Sequence, residues 1–198
     1  MSQTAIDRPD VKALQAKFGA KVLKVKESCG DTFVCVKRES IREVAEFLKN
    51  DPAMQFTYFA ECLGADYSKW DHERDLPERF EVIYNLYSLH LGKRLFLKLG
   101  VDDGQKVPSL VPVYLGAEYP EREVWDLFGV VFEGNEQNQR FLLPDDWVGF
   151  PLRKEYPLGG EDVLFDRGDR GPAIEDLQMP HAGESWEGKT GTEDVGGR

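Results

Sequence analysis

The sequence is short of everything a self-contained redox or nucleotide enzyme uses to hold a cofactor. It has three cysteines in 198 residues, Cys29, Cys35 and Cys62, and no two share a C-x-x-C spacing. That set cannot supply a four-thiolate iron–sulfur or zinc site. It reads instead as free, buried thiols in a reducing compartment. The three histidines, His72, His90 and His181, stand singly, without the spacing that brings two imidazoles to one metal. No G-x-G-x-x-G follows a strand and no G-x-x-x-x-G-K-[ST] occurs, so NAD, FAD and ATP lack their usual phosphate cradle. No serine or cysteine sits in a nucleophile elbow. No stretch approaches the ~20 apolar residues that span a bilayer, and residues 1–10 show neither a signal-peptide nor a transit-peptide pattern. Positive charge is also scarce. With 25 Lys and Arg against 36 Asp and Glu, the net charge is −11, which argues against nucleic acid or anionic lipid as a direct partner.

What is present divides unevenly along the chain. Residues 1–55 carry a net charge of +2, residues 56–157 a net −7, and residues 158–198 a net −6. The last segment also holds 9 of the 19 glycines and few apolar residues, too little to offset the entropy of ordering it. The expected organisation is therefore one α+β domain over residues 1–157, with an acidic, extended, partner-binding or disordered tail over 158–198.

Within the domain, Val11, Leu14 and Phe18 recur at helical spacing and Gly19 supplies a stop. Lys21–Lys26 and Thr32–Lys37 read as two strands joined around Cys29-Gly30-Asp31. Ser40 and Glu43 have capping-box spacing ahead of a helix whose buried stripe is Ile41, Val44, Phe47 and Leu48. Phe80, Val82, Tyr84 and Leu86 alternate with Glu81, Ile83, Asn85 and Tyr87, and Leu95, Leu97 and Leu99 alternate on a returning strand past Gly92-Lys93. This predicts an antiparallel hairpin with one face on a core. Val107–Tyr114 is expected as an edge strand because of Pro108 and Pro112, and a helix is expected from about Pro120 to Phe128, ended by Gly129. The fold class is a two-layer α+β sandwich, with helices on one face of a mixed, largely antiparallel sheet.

Two clusters carry candidate function. In Glu121-Arg122-Glu123-Val124-Trp125-Asp126-Leu127-Phe128-Gly129, a helix would place Glu123 three residues from Asp126, and Arg122 four residues from Asp126. Three readings stay open: acids that complement the helix dipole, a carboxylate acid/base pair, or acids that grip a cation. In Leu143–Pro157, three prolines and a glycine forbid a long helix, yet Trp147, Phe150, Leu152 and Tyr156 are large apolar groups beside Arg153 and Lys154. Such an extended strap lies along its own domain or along another subunit.

At these clusters the chain resembles the C-type subunit of NADH-quinone oxidoreductase, respiratory complex I. The run from Glu121 to Gly134 looks like that family's E-R-E-x-W-D-L-F-G-V-x-F-E-G signature, and Asp145-Asp146-Trp147 with Pro151-Leu152-Arg153-Lys154-Glu155-Tyr156-Pro157 resembles its C-terminal strap. Leu63–Tyr67, Phe80–Tyr84 and Pro108–Leu110 are similar to further family segments in the same order. The chain departs from the pattern at Asn135, Gln139 and Phe150, where the family usually has polar or basic residues (or Pro at the second). The resemblance implies a non-catalytic scaffold subunit of the peripheral arm, on the cytoplasmic side of a bacterial cell membrane and joined to it only through the complex. It implies packing on the neighbouring D-type subunit, the quinone-site subunit, together with other peripheral-arm subunits. FMN and iron–sulfur clusters would sit on those other subunits and none on this chain. Glu121, Arg122, Glu123, Asp126, Trp147, Arg153, Lys154 and Tyr156 are then candidate partner-binding residues, with no catalytic, cofactor or metal ligand assigned. The competing expectations are the equivalent subunit of a membrane-bound hydrogenase or ferredoxin-linked complex, and a small enzyme using Glu123 and Asp126.

Overall fold

In a computed structural model of the chain, residues 8–136 and 139–156 are described. The expectations for residues 1–7 and for the tail over 158–198 lie outside the described residues. Helix α1 (Pro9–Phe18) starts with Pro at its first position and ends at Gly19, whose φ is 47°. Strands β1 (Val22–Ser28) and β2 (Asp31–Val36) pair antiparallel across Cys29-Gly30, both with positive φ, which matches the right-handed twist of a two-residue hairpin. Helix α2 (Ile41–Asn50) follows, then β3 (Tyr58–Asp66), β4 (Phe80–Ser88) and β5 (Lys93–Val101). Two short strands, β6 (Lys106–Pro108) and β7 (Val131–Glu133), flank α3 (Glu118–Phe128).

The main sheet has the order β1-β2-β5-β4-β3. Only β2 and β5 run parallel; the other neighbours are antiparallel. Along β4 and β5 the period-two pattern sends Phe80, Val82, Tyr84, Leu86, Leu95, Leu97, Leu99 and Val101 to one face. There they share a single buried cluster with Val11 and Leu14 of α1, Ile41, Val44 and Leu48 of α2, and Val124 and Phe128 of α3. The α+β layering expected from the sequence is the one observed. On the opposite face Lys98 pairs with Glu81 at 2.7 Å, and Asp75, from the segment between β3 and β4, pairs with Lys24 at 2.7 Å.

Two local expectations are corrected. Ser40 makes no side-chain cap, because the chain enters α2 through a 3-10 turn, Arg38–Ser40, and Ser40 is already helical at φ −98° and ψ 0°. The Ile41 N–H bonds the Arg38 carbonyl instead, while Glu43 pairs with Lys21. The strand expected over Val107–Tyr114 stops at Pro108. Beyond it the chain turns inward, Val113 and Tyr114 both donating to the Leu110 carbonyl, and the Leu110 N–H is captured by a side chain of α3. Strand β3 was not expected: its alternation is blurred by Gly64 and by a bulge between Phe59 and Glu61.

Candidate functional site

Helix α3 lays Val124 and Phe128 against β3, and Gly64 makes this possible: a Cβ there would come within 2.7 Å of the Phe128 ring. Glu121 sits on the same side of the helix, one turn earlier, and is carried into the core with no exposure. Its carboxylate accepts four hydrogen bonds there. The donors are the Tyr84 hydroxyl (3.1 Å), the Ser109 hydroxyl (2.6 Å), the Leu110 N–H (2.7 Å) and the Asn135 side-chain amide (3.2 Å). Burial pushes the Glu121 carboxyl upward, and these neutral donors recover only part of the shift. Asn135, one of the departures from the family pattern, also donates to the Glu118 carbonyl, and so ties the end of β7 back to the start of α3.

Asp126 is equally buried but faces the segment that leads into the strap. One oxygen takes Arg140 Nη1 at 2.9 Å, and the other takes the N–H groups of Phe141, Leu142 and Leu143 at 3.0, 2.8 and 3.1 Å. Burial would raise this carboxyl too, but a guanidinium and three amides hold it below the usual range. Arg140 then reaches on to the carbonyls of Trp147 and Gly149. Arg122 bonds the carbonyls of Gln139 and Arg140.

The strap is seated on its own domain over the described residues. Leu152 N–H bonds the Leu127 carbonyl, and Arg153 Nε bonds the Phe128 carbonyl at 2.7 Å, meeting free acceptors at the end of α3. Arg153 also pairs with Asp103 at 3.0 Å. The Lys154 backbone N–H bonds Asp66, which is held by Arg79 at 3.0 Å, and Arg79 in turn bonds Glu155. Guanidinium groups and rings alternate through the joint. Arg140 lies between Trp125 (5.5 Å) and Phe150 (5.2 Å), Arg153 between Phe150 (4.8 Å) and Phe80 (5.2 Å), and Arg79 over the Phe80 ring (4.5 Å). Phe150, another departure from the family pattern, is thus the ring between two cations. Trp147 stacks on Tyr156 at 6.4 Å, and its indole N–H is buried without a partner among the described residues.

These contacts sort the candidates. Arg122 and Asp126 meet at the segment that leads from α3 into the strap, whereas Glu121 faces the core and holds Tyr84, Ser109, Leu110 and Asn135. Glu123 joins neither: it points outward, exposed, so the Glu123–Asp126 acid/base pair does not form. Nor do Arg153 and Lys154 reach the α3 acids with their side chains. Arg140 takes that place, because Asp126 faces the segment ahead of the strap rather than the strap itself. Arg140, Arg79 and Asp103 escaped the sequence reading, and Asp66 (within Leu63–Tyr67) and Phe150 entered it without these partners. Arg140 carried one usable signal, as a lone cation immediately before the apolar run Phe141–Leu143.

The five-stranded sheet with helices on one face, which carries the guanidinium-clamped extension, is an α+β fold that solved structures share. A chain of a membrane-bound sulfane sulfur reductase, an archaeal respiratory membrane complex, has the same fold, with a TM-score of 0.65, 24% identity, and 85% of this chain and 96% of that one covered. A trypsin-resistant fragment of Nqo5 aligns with a TM-score of 0.56 at 32% identity, over 64% of this chain and 97% of the fragment. The family described as "Respiratory-chain NADH dehydrogenase, 30 Kd subunit" matches residues 34–162. Proteins named as the C-type subunit of NADH-quinone oxidoreductase are similar over most of the chain. One from Roseiflexus sp. (strain RS-1) is 41% identical over 163 residues, 81% of this chain and 90% of the relative. One from Geobacter metallireducens is 44% identical over 148 residues, 74% and 87%. The chain belongs to this 30 kDa subunit family of complex I-like respiratory complexes. Among the described residues no helix is long and apolar enough to cross a membrane.

Proposed function

We propose that the chain is a non-catalytic scaffold subunit in the peripheral arm of a proton-translocating NADH-quinone oxidoreductase, packed on the D-type subunit near the quinone site, on the cytoplasmic side of the membrane. Electrons pass from NADH through FMN and iron–sulfur centres on other subunits to quinone, and this chain carries none of those groups. One observation carries the reading. Of Glu123 and Asp126, the pair that acid/base chemistry would use, Asp126 is buried with both oxygens bonded to donors of the same chain, as is Glu121 one turn earlier, while Glu123 is exposed and apart from both. Groups so committed fix geometry and are not free to exchange protons with a substrate. The relatives that carry the NADH-quinone oxidoreductase name favour this complex over a hydrogenase or ferredoxin-linked one.

The test is purification of the tagged full chain from mildly solubilised membranes. Expected are co-purifying NADH:quinone reductase activity and the spectra of flavin and iron–sulfur centres. Purification alone, or with hydrogenase activity and no NADH oxidation, overturns the reading. Asp126→Ala leaves Arg140 unmatched in a desolvated joint, at a cost of roughly 3–5 kcal/mol, and should lower the amount of assembled complex. Turnover per assembled complex should stay within about twofold. Normal assembly with collapsed turnover would return a chemical role to α3.

A further inference from the structure

Internal bonds use up Glu121, Arg122 and Asp126 but leave one side of α3 uncovered among the described residues. Leu115, in the turn that leads into the helix, is 85% exposed, Tyr119 one turn on is 54% exposed, and Phe141 and Leu142 are 45% and 54% exposed. The Tyr119 and Phe141 rings lie 5.4 Å apart, and the Arg122 guanidinium lies 5.3 Å from the Phe141 ring. Large apolar residues exposed singly are ordinary, whereas four on one helix side and the segment fastened to it form a patch. Glu123, one turn beyond Tyr119, is exposed and forms no ion pair with any described residue. Asp145 and Asp146 are also exposed. Arg122 stands on the same side but spends Nε and Nη2 on carbonyls of residues 139 and 140, which leaves the Glu123 carboxylate as the charge that this side of α3 presents.

We propose that Leu115, Tyr119, Glu123, Phe141 and Leu142 form a docking surface for another protein subunit of the same complex, one that sets apolar side chains against the rings and an Arg or Lys against Glu123. The inference rests on the assembly reading above and deepens it. Charge complementarity selects the occupant: an exposed Glu123 on a chain of net charge −11 repels an anionic lipid surface, and a second copy meeting face to face would bring Glu123 near its own like charge. Aromatic centres with a charged rim are also the composition of protein–protein contacts.

Three measurements on the full chain test it, two within purified complex and one on the isolated chain. Tyr119 replaced by a photo-crosslinking amino acid should attach to another subunit. Glu123→Lys should reduce co-purified partner about tenfold at low salt, with Glu123→Asp restoring most of it. The melting temperature of isolated Glu123→Lys should match wild type, because Glu123 has no partner among the described residues to lose. A crosslink to lipid or to a second copy, or wild-type recovery of partner with both Glu123→Lys and Tyr119→Ser, overturns the surface while leaving the assembly reading intact. Failure of the wild-type chain to co-purify with any complex overturns both.

Discussion

Glu121 and Asp126 lie five residues apart on one helix, are equally buried, and titrate in opposite directions. Burial raises a carboxyl in both cases; the sign is decided by what faces it. Asp126 meets a guanidinium and three N–H groups and ends below its ordinary value. Glu121 meets only neutral donors and ends above it. Stability follows with opposite signs. The depressed Asp126 contributes stability that is present above the unfolded value, near 3.9, and is lost as pH falls through the folded one. The raised Glu121 costs stability as pH climbs from about 4.3 to its folded value, after which the cost is constant. In Glu121→Gln that ionisation is gone. The stability of the variant minus that of wild type should therefore rise as pH climbs above the ordinary carboxyl value of about 4.3, in urea titrations. A difference independent of pH would mean that Glu121 titrates as an ordinary carboxyl.

At the scale of elements, α3 and the strap are joined through Gly129. Its φ of 78° closes the helix in the left-handed region, and a Cβ there would sit 2.6 Å from the Phe150 ring and 2.8 Å from Arg153 Nη2. Gly129→Ala therefore meets two obstacles at once. The backbone strain alone is about 1–2 kcal/mol, and the ring between Arg140 and Arg153 must also move. Phe150→Ala removes that ring and its two cation contacts without straining the backbone, at about 0.5–1 kcal/mol for each exposed contact. Both variants should speed proteolytic cleavage within residues 143–156 while far-UV circular dichroism of the sheet and helices is retained, with Gly129→Ala the more severe. Unchanged cleavage would show that the strap is held by its hydrogen bonds and ion pairs without the Phe150 ring.

For the whole molecule, the sheet order places β2 beside β5, joining residues about sixty positions apart in a parallel pair. The N-terminal hairpin and the β3–β4–β5 meander therefore make one sheet and share one core. Acids at the sheet pair within the chain, Glu81 and Asp75 with lysines and Asp66 with Arg79 and the strap. The purified chain is accordingly expected to be colourless, with well below about one equivalent of iron, zinc or flavin. Elemental analysis and a visible spectrum after gel filtration check this, and a retained chromophore would overturn it.

The sequence by itself determined the layers. Period-two runs at Phe80–Leu86 and Leu95–Leu99, and helical stripes at Val11–Phe18 and Ile41–Leu48, each bury one face, and a buried face requires a partner layer whatever the rest of the chain does. Stops at Gly19 and Gly129 were equally legible, because backbone conformation there is a local property. The family resemblance also lay in short ordered motifs. What only the tertiary structure decided were the partners: which cation meets Asp126, which donors surround Glu121, why Ser40 does not cap its helix, and what Phe150 is for. Arg140, Arg153 and Lys154 are alike as charges along a chain, and linear spacing cannot rank them. The ranking came from the direction in which α3 points once Gly64 lets Phe128 settle on β3. That approach carries Glu121 into the core, turns Asp126 toward Arg140, and leaves Glu123 facing outward.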